Sequence, residues 1–242
     1  MKRNPRPAML ASMLVTLAAL SATAHAGVVV DGTRFHLSAE ESELTVRLMN
    51  PDQTSSLVQS WIDDGDANST PASPSNVPFV IRPPVARVAA GGEQVLRIVS
   101  AGQPAAQDRE GLYYLNLLDV PATEATTDPQ LQLAVRSRFP LYYRPKGLSS
   151  ADAADAPKKL KWSLVREAQA WSLRAENPTP YHVSLVSAGS SQPIEGGLIT
   201  PFASSTYRLS QAQYNALTTD ISIEYRTEKG RTATLTSPLH RP

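Results

Sequence analysis

The sequence contains no cysteine, so disulfide bonds cannot contribute to its stability. In an oxidising compartment, a chain of this composition must therefore be stabilised by packing alone. Beyond the amino-terminal region, the sequence also lacks any apolar run long enough to span a bilayer. We therefore expect no direct membrane insertion.

Recognisable catalytic and ligand-binding motifs are absent as well. The sequence has no Gly-x-Ser-x-Gly elbow, no phosphate-binding loop and no dinucleotide fingerprint. The acidic segment 63–68 resembles the first half of a calcium loop, but Ser69 and Ser75 occupy the positions that need glycine and glutamate. The histidines after residue 26 lie in three separate segments without the spacing of metal ligands; they are His36, His182 and His240. We therefore predict no catalytic residue, no cofactor, no metal site and no enzymatic activity.

The amino terminus has the pattern of a secretory signal peptide. Lys2, Arg3 and Arg6 precede an apolar segment at 8–20, and the small-x-small sequence Ala24-His25-Ala26 follows. We predict export, with cleavage after Ala26. Removing the three basic residues from the 23 of the whole chain leaves 20 against 22 acidic residues, a net charge of −2. This balance does not indicate a nucleic-acid partner.

In the remainder of the chain, turn-forming residues are distributed as in an all-β protein. The whole chain has 20 prolines and 12 glycines, and all of them except Pro5 and Pro7 lie after residue 26, where they separate short runs rich in valine, leucine, isoleucine, tyrosine and threonine. Predicted strands in the first half are 28–37 with a break near Asp31-Gly32, 44–48, 57–62, 77–84, 94–99, 112–118 and 131–145. Those in the second half are 161–165, 170–175, 182–187, 205–209, 221–225 and 232–235. Such spacing is typical of immunoglobulin-like sandwiches.

The small, polar, strand-poor segment LSSADAADAPKK interrupts these strands and suggests an inter-domain connection. We expect a first domain at 27–147, a connection at 148–160 and a second domain at 161–242. A brief helix is predicted only near 212–217, and Gly91-Gly92 is predicted to form a hairpin turn.

The segment 131–145, LQLAVRSRFPLYYRP, permits two interpretations. Its apolar residues alternate with polar ones as far as Val135, which is typical of a strand with one apolar face. The simpler interpretation is a central strand that buries this face in the core. The alternative is an edge strand whose apolar row serves a partner, because Pro140 cannot donate a ladder hydrogen bond. The segment alone favours the first interpretation.

Four motifs in this chain resemble those of one family. Segment 176–181 reads ENPTPY, 141–145 reads LYYRP, 108–116 reads DREGLYYLN, and 83–87 reads PPVAR, with Gly91-Gly92 close behind. In their order along the chain, from 83–87 to 176–181, they resemble the motifs of the PapD-like periplasmic pilus chaperones of the chaperone-usher pathway. The resemblance covers essentially the whole chain after residue 26.

The resemblance implies two immunoglobulin-like domains in a boomerang arrangement. It implies capture of pilin subunits by donor-strand complementation, in which the chaperone lends the strand that the pilin lacks, and delivery to an outer-membrane usher. On this basis the donated side chains are Leu131, Leu133 and Val135. A free chaperone of this kind could also cap its own edge by forming a dimer.

The resemblance also implies a cationic anchor for the carboxylate at the subunit's carboxyl terminus. Arg34 matches the first cation of this anchor, and its planar fork suits a carboxylate. The second cation is usually a lysine four residues before Arg144, where this chain has Pro140. Arg138, on the same strand face, could replace it, or could simply be a solvated surface charge.

A further implied feature is a salt-bridge cluster between the domains, matched here by Glu110, Arg144 and Glu228. The short loop at 121–130 and the absence of cysteine favour the short-loop class of chaperones, which mainly serves rod-shaped pili. A different hypothesis is a secreted immunoglobulin-like adhesin or carbohydrate-binding module. That hypothesis needs exposed aromatic residues, whereas the tryptophans lie in strand patterns that suggest core positions; these are Trp61, Trp162 and Trp171.

Overall fold

The computed structural model describes residues 27–73, 77–102, 106–123, 132–167 and 170–242. Within them the chain forms two successive β-sandwiches, each around its own cluster of buried apolar side chains. The prediction of an all-β chain with two immunoglobulin-like sandwiches is confirmed. The predicted signal peptide at 1–26 and Leu131 lie outside the described residues. No helix in this part of the chain is long and apolar enough to cross a membrane.

The first sandwich is built from short strands whose side chains alternate between core and solvent. In the strand Glu43–Met49, for example, Val46 and Leu48 are buried while Arg47 and Met49 are exposed. The strands are β1 (Val29–Val30), β2 (Phe35–Ser38), β3 (Glu43–Met49), β4 (Ser56–Asp63), β5 (Phe79–Arg82), β6 (Val85–Val88), β7 (Glu93–Ser100), β8 (Gly111–Pro121) and β9 (Val135–Arg144).

These strands form two sheets, with the orders β1-β3-β7-β5 and β2-β9-β8-β4-β6. All neighbours are antiparallel except β2 and β9, which run parallel with Phe35 opposite Leu141 and Ser38 opposite Arg144. The core lies between the two sheets and includes Leu48 and Ile98 from one sheet and Leu115 and Leu141 from the other.

The chain changes sheets at the predicted break in the first strand. Gly32 lies there with φ of 117°, a conformation that glycine adopts without strain, and β1 and β2 on either side belong to different sheets. The predicted hairpin at Gly91-Gly92 is wrong for a similar reason. Gly91 does adopt φ of 63°, but β6 and β7 on either side of this turn also belong to different sheets.

The second sandwich is also built from short strands. Its strands are β10 (Lys161–Glu167), β11 (Ala170–Glu176), β12 (Val183–Gly189), β13 (Ile194–Glu195), β14 (Leu198–Ile199), β15 (Ser204–Arg208), β16 (Asp220–Arg226) and β17 (Thr232–His240). They form one hydrogen-bonded path in the order β13-β12-β16-β17-β10-β11-β15, with β14 beside β12. The parallel pair β10 and β17 joins its two halves, whose side chains share a core that includes Trp162, Leu173 and Ile223.

The segment predicted as the connection at 148–160 is more ordered than its composition suggests. It contains helix α1 (Ser150–Asp155), capped by the Ser149 side chain, and a 3₁₀ turn at Ala156–Lys159. Ala156 and Leu160 are buried in the core of the second sandwich, so much of this segment packs as part of that sandwich. The predicted helix near 212–217 is α2 (Gln211–Ala216), which begins with a capping box.

The tryptophans differ in burial, and the prediction that Trp61 is a core anchor is wrong. Trp162 is 2% exposed in the second core, and Trp171 packs against its edge. Trp61 instead lies half-buried on the outer face of β4, where its indole donates to Ser69 Oγ at 3.1 Å and the Arg136 guanidinium lies 4.9 Å from the centre of the ring.

Candidate functional site

Strand β9 is a central strand at one end and an edge strand at the other. It pairs with β8 along its length, from Gly111 opposite Tyr143 to Asp119 opposite Val135. On its other side, β2 pairs only with Leu141–Arg144. Within the described part of the chain, the outer edge of 135–140 therefore has no strand partner. The edge-strand interpretation therefore applies to 135–140, and the central-strand interpretation applies to 141–144.

The apolar row at the start of this segment is exposed to solvent. The exposed fraction is 65% for Leu133 and 54% for Val135, although an apolar side chain of this size is stabilised by burial. Residues 132–134 precede β9 without being part of a strand. An open edge and an exposed apolar row therefore occur together at the end of the first sandwich.

The other end of β9 reaches a cleft between the two sandwiches, where Arg34 lies. The half-buried Arg34 guanidinium donates to the Tyr142 hydroxyl at 3.0 Å and to Ser184 Oγ on β12 of the second sandwich. A cavity of about 150 Å³ opens beside it, lined by residues of both sandwiches that include His36 and Tyr225. Arg34 is thus held by hydroxyl groups, which leaves its charge available to an anion.

Aromatic rings lie against one another in this cleft. Tyr142 is 4% exposed; its ring lies 5.1 Å from His36 in a stacked arrangement and 5.6 Å from His182 in a tilted one. Burial, together with the positive charges of Arg144 and Arg34, lowers the pKa of His36 to about 4 despite the opposing charge of Glu110. His36 is therefore neutral at pH 7.

The cluster predicted from Glu110, Arg144 and Glu228 comes together in the structure. Arg144 is 4% exposed; its Nε donates to Glu110 Oε1 at 3.0 Å, and its Nη2 pairs with Glu228. The other oxygen of Glu110 accepts from the backbone N–H of His182 and contacts His182 Nδ1, both at 3.0 Å. Burial alone would raise the pKa of Glu110, but the His182 hydrogen bonds and the Arg144 charge outweigh it and lower this pKa. These contacts join the first sandwich to the second.

The structure does not bring Arg138 to this cleft. Its guanidinium instead forms a two-point ion pair with Asp63, at 2.6 and 3.0 Å, and it does not line the cavity beside Arg34. The hypothesis that Arg138 supplies the second cation beside Arg34 therefore has no geometric support, because Asp63 already holds this charge.

Sequence reasoning missed several residues of the cleft. His36 and His182 lack metal-ligand spacing and were not predicted to belong to a site, yet both lie against Tyr142, His36 in a stacked arrangement and His182 in a tilted one. Two residues of the cleft do have a sequence signal, because they lie in or beside the family motifs: His182 directly follows ENPTPY, and Tyr142 lies within LYYRP. No group of metal-ligating side chains is found in the described ranges.

Comparison with known proteins identifies the family. Residues 27–149 match the PapD N-terminal domain, described as a pili and flagellar-assembly chaperone, and residues 155–237 match the C-terminal domain of the PapD pili-assembly chaperone. The chain belongs to the PapD-like chaperone family. The matches favour this family over the adhesin or carbohydrate-binding hypothesis.

Individual relatives agree with this assignment. The chain is 38% identical over 199 residues to the probable fimbrial chaperone YadV of Escherichia coli, covering 78% of this chain and 80% of that protein. Among solved structures, the CupB2 chaperone of Pseudomonas aeruginosa is 32% identical with a TM-score of 0.71, covering 87% of this chain and all of that one. The Salmonella enterica SafA pilin in complex with the SafB chaperone gives a TM-score of 0.72 at 27% identity, covering 90% of this chain and 99% of the matched chain.

Proposed function

We propose that this protein is a non-enzymatic periplasmic chaperone that captures pilin subunits by donor-strand complementation and delivers them to an outer-membrane usher. The observation that carries the proposal is the open edge of β9 next to the exposed side chains of Leu133 and Val135. An exposed apolar edge invites aggregation, so a protein that keeps one is expected to use it. Membership of a pilus-chaperone family supplies the partner.

The open edge can provide a missing strand to a subunit. Backbone groups along 135–140 that face away from β8 and have no strand partner among the described residues would hydrogen-bond to the subunit, and alternate side chains would fill its groove. The resemblance to the family implies that the side chains with this role are those of Leu131, Leu133 and Val135. Fully burying side chains of this size contributes roughly 1.5 to 3 kcal/mol each before ordering costs.

Arg34 would bind the carboxylate at the subunit's carboxyl terminus. It lies at the opposite end of β9 from the apolar row, so one strand of the subunit could reach both. Tyr142 and Ser184 hold the guanidinium in place, which reduces the side-chain entropy lost when the carboxylate binds. This chain has Pro140 at the position where the family usually has its second cation. The groups that hold Arg34 are therefore the hydroxyls of Tyr142 and Ser184.

The cluster of Glu110, Arg144 and Glu228 would fix the angle between the domains. A buried ion network of this kind specifies geometry better than it stabilises a fold. We propose the domain bounds 27–147 and 161–242, joined by the connection at 148–160. We also propose export through a signal peptide that is cleaved after Ala26.

Co-expression with a pilin subunit, followed by co-purification, tests the capture of subunits. Wild type should retain the subunit, whereas Leu133→Glu should lose it because a carboxylate would enter an apolar groove. Val80→Glu is the matched control, since Val80 is 40% exposed on β5 of the other sheet. Equal retention by wild type and Leu133→Glu would contradict the donor-strand mechanism.

The same assay tests the carboxylate anchor. Arg34→Ala should reduce retention, whereas Arg97→Ala, which removes an exposed arginine of β7, should not. Removing the last carboxylate of the subunit by amidation should weaken binding to wild type and leave binding to Arg34→Ala unchanged. Additive losses from the amidation and from Arg34→Ala would contradict a direct contact between the two groups.

A further inference from the structure

Two arginines on the open half of β9 are tied to the neighbouring strands. Arg138 forms its two-point ion pair with Asp63 of β4, whose side chain is only 2% exposed. Arg136 donates to Asn116 Oδ1 of β8 at 2.7 and 3.2 Å. Asn116 is itself fully buried and donates to Asp63 at 2.7 Å. Both arginines are therefore connected to the same buried carboxylate.

The register places these groups on one face of the sheet. Trp61 lies opposite Asn116, and Asn116 lies opposite Arg138. Aromatic rings add to the hydrogen bonds, because the Arg138 guanidinium lies 3.5 Å from the centre of the Tyr114 ring and Arg136 lies 4.9 Å from that of Trp61. Such cation–aromatic contacts are favourable. This outer face is opposite to the one that carries the apolar row.

The Asp63 carboxylate, which both arginines contact directly or through Asn116, accepts several hydrogen bonds. Asp63 accepts from Arg138, from Asn116 and from the backbone N–H of Gly65 at 2.8 Å. Burial alone would raise the pKa of Asp63, but these hydrogen bonds outweigh it and hold the pKa below its ordinary value. The carboxylate is therefore ionised at neutral pH, and the ion pair with Arg138 persists there.

We infer that Arg138 and Arg136 are positioning residues. Through their contacts with Asp63 and Asn116, they hold residues 135–140 in place on the sheet and so pre-organise this segment as the donor strand. This inference rests on the proposed donor-strand function, which it extends by naming what keeps the strand in place. Among the residues that the structure describes, 135–140 pair on one side only, so the backbone ladder alone holds them less firmly than a central strand. The arginines supply the missing restraint from side chains.

Pre-organisation matters because strand addition has an ordering cost. Binding affinity falls in proportion to the fraction of molecules in the competent conformation, so a strand that is ordered in about one molecule in ten binds about tenfold more weakly. The arrangement leaves the outer backbone edge and the apolar row free for the subunit. It also accounts for the position of Arg138 outside the cleft: the residue binds the chaperone's own sheet.

Amide hydrogen exchange in the free protein tests the positioning directly. Arg138→Met and Arg136→Met should exchange faster than wild type at 135–139, while the amides of β3 and β7 in the opposite sheet remain unchanged. Arg138→Lys should restore part of the protection, since it keeps the charge but not the two-point geometry. Arg166→Met is the control, because it removes an arginine that stacks on Trp171 in the second sandwich.

A buried Asp63 without its cation could destabilise the whole sandwich. The double variant Asp63→Asn with Arg138→Met removes both charges and is therefore the second test. It should fold and still exchange faster at 135–139. Unchanged exchange there in folded variants, or faster exchange throughout the first sandwich in proportion to lost global stability, would overturn the inference.

Subunit binding gives a second readout. The folded variants should bind a pilin subunit about tenfold more weakly than wild type, and Arg166→Met should bind like wild type. If wild type captures subunits and the variants bind equally well, only the positioning role fails. If wild type captures no subunit, the proposed function fails, while the exchange experiment still decides whether the arginines hold the strand.

Discussion

His36 should make the stability of this protein fall as the pH drops from neutral towards 4. In the folded chain its pKa is lowered from 6.5 to about 4, by burial first and then by nearby positive charge. Between these two values the unfolded chain binds a proton that the folded chain does not, so stability decreases as the pH falls. The charged groups that face His36 are Arg34, Glu110, Arg144 and Glu228.

The size of the effect follows from the two pKa values. Each pKa unit corresponds to about 1.4 kcal/mol, so a decrease from 6.5 to about 4 amounts to a stability loss of roughly 3 kcal/mol at pH 4. This loss should begin near pH 6.5 and be complete near pH 4. Glu110 should remain ionised over most of this window, because its hydrogen bonds and the Arg144 charge outweigh burial and lower its pKa.

Urea unfolding at fixed ionic strength between pH 4 and pH 8 measures this effect. His36→Gln removes the titrating group, so its stability should fall by roughly 3 kcal/mol less than that of wild type over the same range. His240→Gln removes an exposed histidine at the end of β17 and should behave like wild type. The reasoning is refuted if His36→Gln loses as much stability as wild type between pH 7 and pH 4.

Other substitutions probe separate features in the same unfolding assay. Arg144→Ala should cost about 3 to 5 kcal/mol because it leaves Glu110, 3% exposed, without its cation; a smaller cost than for Arg144→Lys would contradict this. Trp162→Phe should cost less than the roughly 3 to 5 kcal/mol typical of a truncation to alanine, because the phenyl ring leaves only part of the indole volume empty and the change removes a buried Nε1 that has no hydrogen-bond partner in the described part of the chain; a cost equal to that of Trp162→Ala would contradict this. Gly196→Ala should cost about 1 to 3 kcal/mol, because its Cβ would lie 2.4 Å from the Leu185 carbonyl oxygen; unchanged stability would contradict that contact.

Strand positions could be predicted from sequence because the alternation is local. Val46 and Leu48 point to the core while Arg47 points to solvent, as their spacing requires. The break at Asp31-Gly32 could also be predicted, since glycine tolerates the φ that the turn needs. At the connection 148–160, composition alone did not predict the ordered structure. Its helix α1 has a local signal in the Ser149 cap and Asp152, but the alanine-rich polar composition suggested a loose linker.

Partners across the fold could not be predicted from local pattern. Asp63 lies 75 positions before Arg138, so nothing near Arg138 shows that its charge is already paired. Pro140 suggested an edge strand, but the extent of the open edge of β9 could not be predicted, because it depends on where β2 stops pairing. Alternation placed Trp61 in a strand, but residue type suggested the wrong face of it. The motif match brought Glu110, Arg144 and Glu228 together because it carries long-range information that alternation lacks.

The central claim is that the row at 131–135 enters a subunit's groove, and site-specific disulfide cross-linking tests it most directly. The chain has no cysteine, so Leu133→Cys provides a single thiol for reaction with a pilin subunit that carries one cysteine in its hydrophobic groove. We expect a disulfide-linked chaperone–subunit pair from Leu133→Cys and none from Val80→Cys on the other sheet. A subunit that is retained without a cross-link from position 133 or 135 would contradict the account.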